Sequence, residues 1–337
     1  MTVTQTPPQW ALDILAAPCS TDGKDHEIRG NAFFCDGPFI RSRALHSAAQ
    51  QQTSDTFGFK WAKKDTFESD ASRAMMREWA LERYGSPYQW TSDMVDPIVL
   101  DAGCGAAFTA CEYFASVLDN IKYLGADISS AVDVARPRML ARDANCAFIQ
   151  SDLNSLPIAD GSVDIIFSEG VLHHTDSTKA ALGSLVPLLR KDGLMMFYVY
   201  RKKGPVREFT DDYIRNLMQP MSGQQGWDAM MPLTKLGEAL GKLNIEIDIE
   251  DPIELLAIPS GKINLQRLFY WHVFKAFYRP DYTLEEMNHI NFDWYAPRNA
   301  HRQTEGEVRE WCNEFGLIVE KEDIQEAGIT IVARKMA

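Results

Sequence analysis

The chain has 337 residues, 45% of them hydrophobic and 24% charged, with a formal net charge of −13. That mix supports a globular core and excludes a disordered chain, a collagen-like fibre and a coiled coil, while the acidic surplus opposes a nucleic-acid partner. No uncharged apolar run approaches the roughly 18 residues of a membrane span, and MTVTQTPPQW lacks the regions of a signal peptide, so a cytoplasmic protein without a membrane partner is expected.

Residues 1–45 read as a small β module. The apolar runs LDILAAPCS and IRGNAFFCDGPFIRSR flank a charged turn and suggest a hairpin. Residues 46–94 read as linker and helical cap. Their first part is polar apart from Phe57, Phe59, Trp61 and Phe67, which suit a packing strap better than a lid. SRAMMREWALERYG then repeats apolar residues at helical spacing and stops at Gly85.

From residue 95 to 200 strands and helices alternate. Strands are expected at 98–100, 123–129, 146–152, 163–170 and 194–200, with helices from 108 to 118 and around 178–190. That rhythm predicts an α/β fold, a doubly wound, Rossmann-like, mostly parallel sheet. Arg201, Lys202 and Lys203, the densest basic cluster, read as a solvated loop. Residues 201–300 lose the alternation and suggest a helical insertion over the acceptor, with the aromatic run 269–278 as its core and some of it lining the acceptor pocket. Over 301–337 a last helix (306–316) and an antiparallel hairpin complete a seven-stranded sheet.

Chemistry concentrates at the ends of these strands. Asp101-Ala-Gly103-Cys-Gly105-Ala-Ala107 is a strand followed by a Gly-rich turn, a device for bringing a ligand against backbone N–H groups. A full GxGxxG is missing, so a dinucleotide dehydrogenase fits poorly. Asp127 ends the second strand, where an acid accepts from ribose hydroxyls, and Asp152 ends the third, where an acid accepts from an exocyclic amine. The six cysteines form no CxxC or CxxH pair, which predicts reduced thiols and no metal.

VLDAGCGAAFTA, LGADIS, SDLNSLPIADGSVDIIFSEGVLHHTDS and KDGLMMFYVY resemble, in order and spacing, the successive motifs of class I S-adenosylmethionine-dependent methyltransferases, in particular the type 11 small-molecule branch. The resemblance implies S-adenosyl-L-methionine as cofactor and S-adenosyl-L-homocysteine as product. It implies that Gly103, Cys104 and Gly105 face the methionine part, that Asp101 holds its amino group, and that Asp127 with Ile128 binds the ribose. Asp152 and Leu153 would face the adenine, and Glu169 the methionine end. A carboxylate rim suits a cationic cofactor. Residues before 45 also resemble a zinc-ribbon-like module, but each knuckle has one cysteine (Cys19, Cys35), so a degenerate module without zinc is expected.

For the acceptor, Tyr200, Arg207, Glu208 and Asp211 follow the fifth strand. Asp293, Trp294, Tyr295, Arg298, His301 and Arg302 crowd polar groups into ten residues, which is costly to bury as plain core. His173, His174 and Tyr200 are the candidate catalytic residues, a histidine at this rim being placed to deprotonate a hydroxyl or amine. The expected reaction is in-line methyl transfer to an oxygen or nitrogen of a small molecule such as a natural product, sugar or metabolite. Sulfur- or arsenic-directed transfer, RNA base methylation and a non-catalytic cofactor-binding scaffold are the alternatives. A homodimer is left open.

Overall fold

A computed structural model describes residues 6–44 and 46–336. A one-turn helix, α1 (Gln9–Asp13), precedes strands β1 (His26–Ile28), β2 (Asn31–Asp36) and β3 (Phe39–Ser42). Helices α2 (Ala48–Ala62), α3 (Asp70–Tyr84) and α4 (Pro87–Thr91) lead to β4 (Ile98–Ala102). Then come α5 (Phe108–Tyr113), β5 (Lys122–Asp127), α6 (Val132–Leu140), β6 (Asn145–Gln150), β7 (Val163–Glu169), α7 (Thr178–Leu185) and β8 (Leu189–Tyr200). The insertion holds α8 (Pro205–Met218), α9 (Gly223–Leu243), the hairpin β9 (Glu246–Ile249) and β10 (Gly261–Asn264), α10 (Leu265–His272) and α11 (Leu284–Tyr295). Helix α12 (Glu305–Glu314) and the hairpin β11 (Leu317–Ile324) and β12 (Gly328–Lys335) close the chain.

The central sheet has ten strands in the order β1-β2-β3-β6-β5-β4-β7-β8-β12-β11. Its middle, from β3 to β8, is parallel, and both ends are antiparallel. Three strands exceed the seven expected. Phe39–Arg41 pairs with Phe148–Gln150, which covers the open edge of β6, and an uncovered edge invites association. Such pairing between distant segments leaves no mark in local sequence.

The parallel strands alternate their apolar side chains between two buried layers. Leu100, Leu124, Ile166 and Phe197 meet α7 and α12 on one side. Val99, Tyr123, Phe167 and Met196 meet α3, α5, α6 and α11 on the other. The chain runs outward from β4 through β5 to β6 and returns to β7, so a crevice opens at the carboxyl ends of β4 and β7.

Helix α2 occupies a stretch read as polar linker. Its inward face is Gln50, Thr53, Ser54, Thr56 and Lys60, so no apolar period announces it. Ser47 caps it by accepting from the Gln50 amide at 3.0 Å. In the insertion, Thr283 and Glu286 cap α11 reciprocally. A buried polar clasp holds α11 to α9: Thr234 Oγ1 donates to Asn288 Oδ1 at 2.7 Å and accepts from Asn291 Nδ2 at 2.9 Å. In the N-terminal segment, the Cys19 and Cys35 sulfurs lie 3.6 Å apart. Among the described residues no group of three or more His, Cys, Asp or Glu is placed to hold a metal. No helix among them is long and apolar enough to cross a membrane.

Candidate functional site

A cavity of about 310 Å³ opens at the crevice and runs beneath α2 and the insertion. Its sheet end is built by the Gly-rich turn. Gly103 and Gly105 have φ of +88° and +50°, a region that disfavours side chains. A Cβ on Gly103 would overlap the Cγ atoms of Val171, and one on Gly105 would lie 2.6 Å from Trp61 Nε1. Gly103→Ala is expected to destabilise the fold by about 1–3 kcal/mol through this strain and overlap, read as a lower Tm.

Asp127 is locked to the turn. Its Oδ2 accepts from the Gly105 amide at 2.8 Å, and its Oδ1 accepts from the Ser129 amide at 2.8 Å and hydroxyl at 2.6 Å. Asp127 and Ile128 line the cavity, as do Asp152, Leu153 and Glu169. Asp152 Oδ1 accepts from the Asn154 amide at 2.8 Å. Glu169 accepts from Trp79 Nε1 at 2.8 Å and from the Tyr84 hydroxyl. Burial pushes both Asp127 and Glu169 up from the usual carboxylate range, so this end favours a cation.

Asp101 and Cys104 sit behind the turn rather than in the wall. The Asp101 carboxylate accepts from the Tyr123 hydroxyl at 2.5 Å, and the Cys104 thiol donates to the Gly105 carbonyl at 3.5 Å. Burial pushes Asp101 up to about 7; the Tyr123 bond opposes this, and the Asp127 and Glu169 charges add to it. A carboxyl with its folded-state pKa raised contributes stability that is full below the unfolded value and lost as pH rises through the folded one. The ligand-free protein is therefore expected to lose stability between about pH 4 and about pH 7 from this group. Asp101→Asn is expected to flatten that part of a Tm-against-pH curve, and an unchanged curve would disprove the assignment.

At the insertion end, Tyr200 and Trp294 line the cavity with Lys60, Asp293, Arg207, Tyr270, Trp271 and Lys275. Lys60 pairs with Asp293, whose other oxygen accepts from the Tyr200 hydroxyl at 3.3 Å. Lys60 holds Asp293 well below the usual carboxylate range despite its burial. Arg207 Nε donates to Asp211 Oδ1 at 2.8 Å, and Asp211 Oδ2 accepts from Trp294 Nε1 at 2.9 Å. Asp211 therefore acts on the wall through Arg207 and Trp294.

The two histidines part company. His174 lines the cavity, and its Nδ1 donates to the Asn299 carbonyl at 2.6 Å. His173 is fully buried behind it, stacked on Tyr200 with ring centroids 3.6 Å apart. Tyr295, His301 and Arg302 also lie outside the wall. The Tyr295 hydroxyl accepts from the Lys275 amide at 2.7 Å. The exposed His301 meets the Thr175 carbonyl through Nε2 at 3.0 Å. Arg302 bridges Glu208 and Asp212 at 2.7 and 2.8 Å. Exposed Arg298 donates its amide to Gln52 Oε1 at 2.8 Å.

Sequence reasoning missed Lys60, Lys203 and Lys275 as wall residues. Lys202 is exposed, as a solvated loop requires, but Lys203 is half-buried and lines the cavity. Lys60 and Lys275 each stand among aromatics, in FGFKW and HVFKAFY. A lone cation inside an aromatic run was the available signal.

Comparison with known proteins bears on the sheet end. Residues 100–197 match the type 11 family profile described as a methyltransferase domain. An uncharacterized methyltransferase, YcgJ, of Bacillus subtilis is 27% identical over 172 residues, covering 49% of this chain and 67% of that protein. The malonyl-[acyl-carrier protein] O-methyltransferase of Serratia marcescens is 27% identical over 155 residues, covering 45% of this chain and 55% of that protein. The chain thus spans about half to two thirds of these relatives. A solved structure of Burkholderia thailandensis 1,6-didemethyltoxoflavin-N1-methyltransferase, with bound 1,6-didemethyltoxoflavin and S-adenosylhomocysteine, aligns over 93% of this chain and 100% of that one, with 14% identity and a TM-score of 0.45. Over residues 100–197 the chain thus carries a methyltransferase domain.

Proposed function

We propose that this chain transfers a methyl group from S-adenosylmethionine to an oxygen or nitrogen of a small molecule. The observation that carries the reading is a single cavity with two chemically different ends. Asp127, Asp152 and Glu169 lie at the carboxyl edge of the sheet, and aromatic and basic residues gather under α2 and the insertion with Asp293 and Glu286 among them. The donor set at the sheet end fits a cationic nucleoside: Asp127 would hold the ribose, Asp152 and Leu153 the adenine, and Glu169 the ammonium end. Asp101 would support this end from behind the turn. When bound, S-adenosylmethionine supplies a methyl group activated by its sulfonium and leaves as S-adenosylhomocysteine.

The chain's own part is to orient, to exclude water and to take a proton. Phe57, Trp61, Tyr200 and Trp294 wall the cavity and keep bulk water from the nucleophile. His174 is the candidate base, because its ring reaches the cavity and His173 does not. The relative named as an O-methyltransferase favours an oxygen nucleophile. The test is calorimetric titration of S-adenosylmethionine and S-adenosylhomocysteine, followed by transfer of labelled methyl to a panel of hydroxylated and aminated small molecules. Saturable binding with label in a small product supports the reading. Absence of binding of either nucleoside overturns it.

A further inference from the structure

The insertion end of the cavity holds more positive charge than its own carboxylates neutralise. Lys60, Lys203, Arg207 and Lys275 all line it. Lys60 is paired with Asp293, and Arg207 with Asp211. Among the described residues no carboxylate lies within ion-pair distance of Lys203 or Lys275. Lys203 Nζ donates to the backbone carbonyls of Glu326 and Ala327. Lys275 Nζ lies 4.5 Å from the Trp294 ring centroid, on a residue only 8% exposed.

An ammonium held this way is costly to keep charged unless an anion joins it. Burial pushes Lys203 and Lys275 each down to about 7. Lys203 faces Arg201, Arg207, Asp211 and Glu326, and Lys275 faces Arg207, Asp211, Arg215 and Asp293. Behind Trp294, the buried Arg215 leaves Nη2 without a partner among the described residues, which adds to the positive field. Tyr200, Tyr270, Trp271 and Trp294 give this wall its flat aromatic surface.

We infer that this end of the cavity seats the carboxylate of an aromatic acid on Lys275, with Lys203 in the same wall, so that the methyl acceptor is an anion. The inference rests on the methyltransferase reading above. The polarity of the cavity supports it: carboxylates line the sheet end, whereas at the insertion end Asp293 is taken up by Lys60 and Glu286 is held by Ser69, Ser72 and Thr283, which leaves Lys203 and Lys275 for an anionic acceptor. An anion favours the charged lysine, so binding draws a proton from solution near neutral pH and weakens as pH rises through about 7.

The test is calorimetry of benzoate and of benzamide into the full chain saturated with S-adenosylhomocysteine, for the wild type, Lys275→Met and Lys275→Arg. Benzoate is expected to bind about tenfold more tightly than benzamide, the order expected for hydrogen bonds to a charged group. Its heat should vary with buffer ionisation as a proton is taken up. Lys275→Met should erase the preference while S-adenosylhomocysteine binding holds, and Lys275→Arg should keep it. No saturable benzoate binding, equal binding of the two probes, or a preference that survives Lys275→Met overturns the inference. The wild-type comparison decides even if a variant fails to fold. Failure of the wild type to bind S-adenosylhomocysteine is a separate outcome, which removes the methyltransferase reading itself.

Discussion

Asp127→Ala is expected to lower affinity for S-adenosylmethionine and S-adenosylhomocysteine by about 10–10²-fold, one charge-assisted hydrogen bond contributing about 1.5–3 kcal/mol. The carboxylate sits at the carboxyl end of β5 and lines the cavity. Oδ1 already accepts twice from Ser129, whereas Oδ2 accepts only from the Gly105 amide and retains capacity to accept from a ligand hydroxyl. Two effects must be separated, because alanine also frees the Gly105 amide and loosens the turn. Ser129→Ala removes part of the support and leaves the carboxylate, so it is expected to cost no more than about tenfold, one hydrogen bond's worth. Asp127→Asn keeps one oxygen and the shape, and should fall between the two. Thermal unfolding of each variant without ligand reports damage to the fold. Binding by Asp127→Ala within a few-fold of wild type, measured calorimetrically, would refute the cofactor role.

The sheet was legible because its strands carry their own signal. Ile98–Ala102, Lys122–Asp127 and Val163–Glu169 are apolar runs that each reach or end on an acid, and burial on both faces of a parallel sheet demands such runs. The acids that close them fall on one edge, so the sheet end of the cavity could be read from spacing. The insertion end could not. Helix α2 buries glutamine, threonine, serine and lysine, and α11 buries Asn288, His289 and Asn291. Segments whose inner faces are polar lack the periodicity on which helix assignment rests. Lys275 follows α10 in a run of aromatics, where composition reads as core. It reaches the cavity beside Trp294 of α11 and Arg207 of α8, which its own segment does not announce. The dense polar run from Asp293 to Arg302 divides between wall and scaffold. Asp293 and Trp294, on the last turn of α11, reach the cavity, while His301 and Arg302 tie the following loop to β7–α7 and to α8.

His174→Ala is expected to lower kcat by about 10²–10³-fold, the usual contribution of a positioned general base, while leaving S-adenosylhomocysteine affinity within a few-fold of wild type. The Asn299 carbonyl can only accept, so the proton of the neutral ring is on Nδ1 and the lone pair is on Nε2. Among the described residues that Nε2 is fully buried with no hydrogen-bond partner, and His174 lines the cavity. An acceptor hydroxyl would satisfy it by parting the wall around it. Burial pushes His174 down to about 4, against the opposing pull of the Asp293 carboxylate and the Asn299 bond. Such a ring is a weak base, but a weak base is enough. A hydroxyl becomes strongly acidic only as its oxygen takes the methyl group, and the proton then moves downhill to Nε2. The sign of the pH dependence follows. Protonation below about 4 removes the lone pair, so kcat/KM should fall on an acidic limb near that value and not near the ordinary histidine value of about 6.5. His173 has no access to the cavity, and His173→Phe, which preserves a flat ring against Tyr200, should lose far less activity. An acidic limb near the ordinary value, or full kcat in His174→Ala, would exclude His174 as the base and leave an acceptor that arrives already deprotonated.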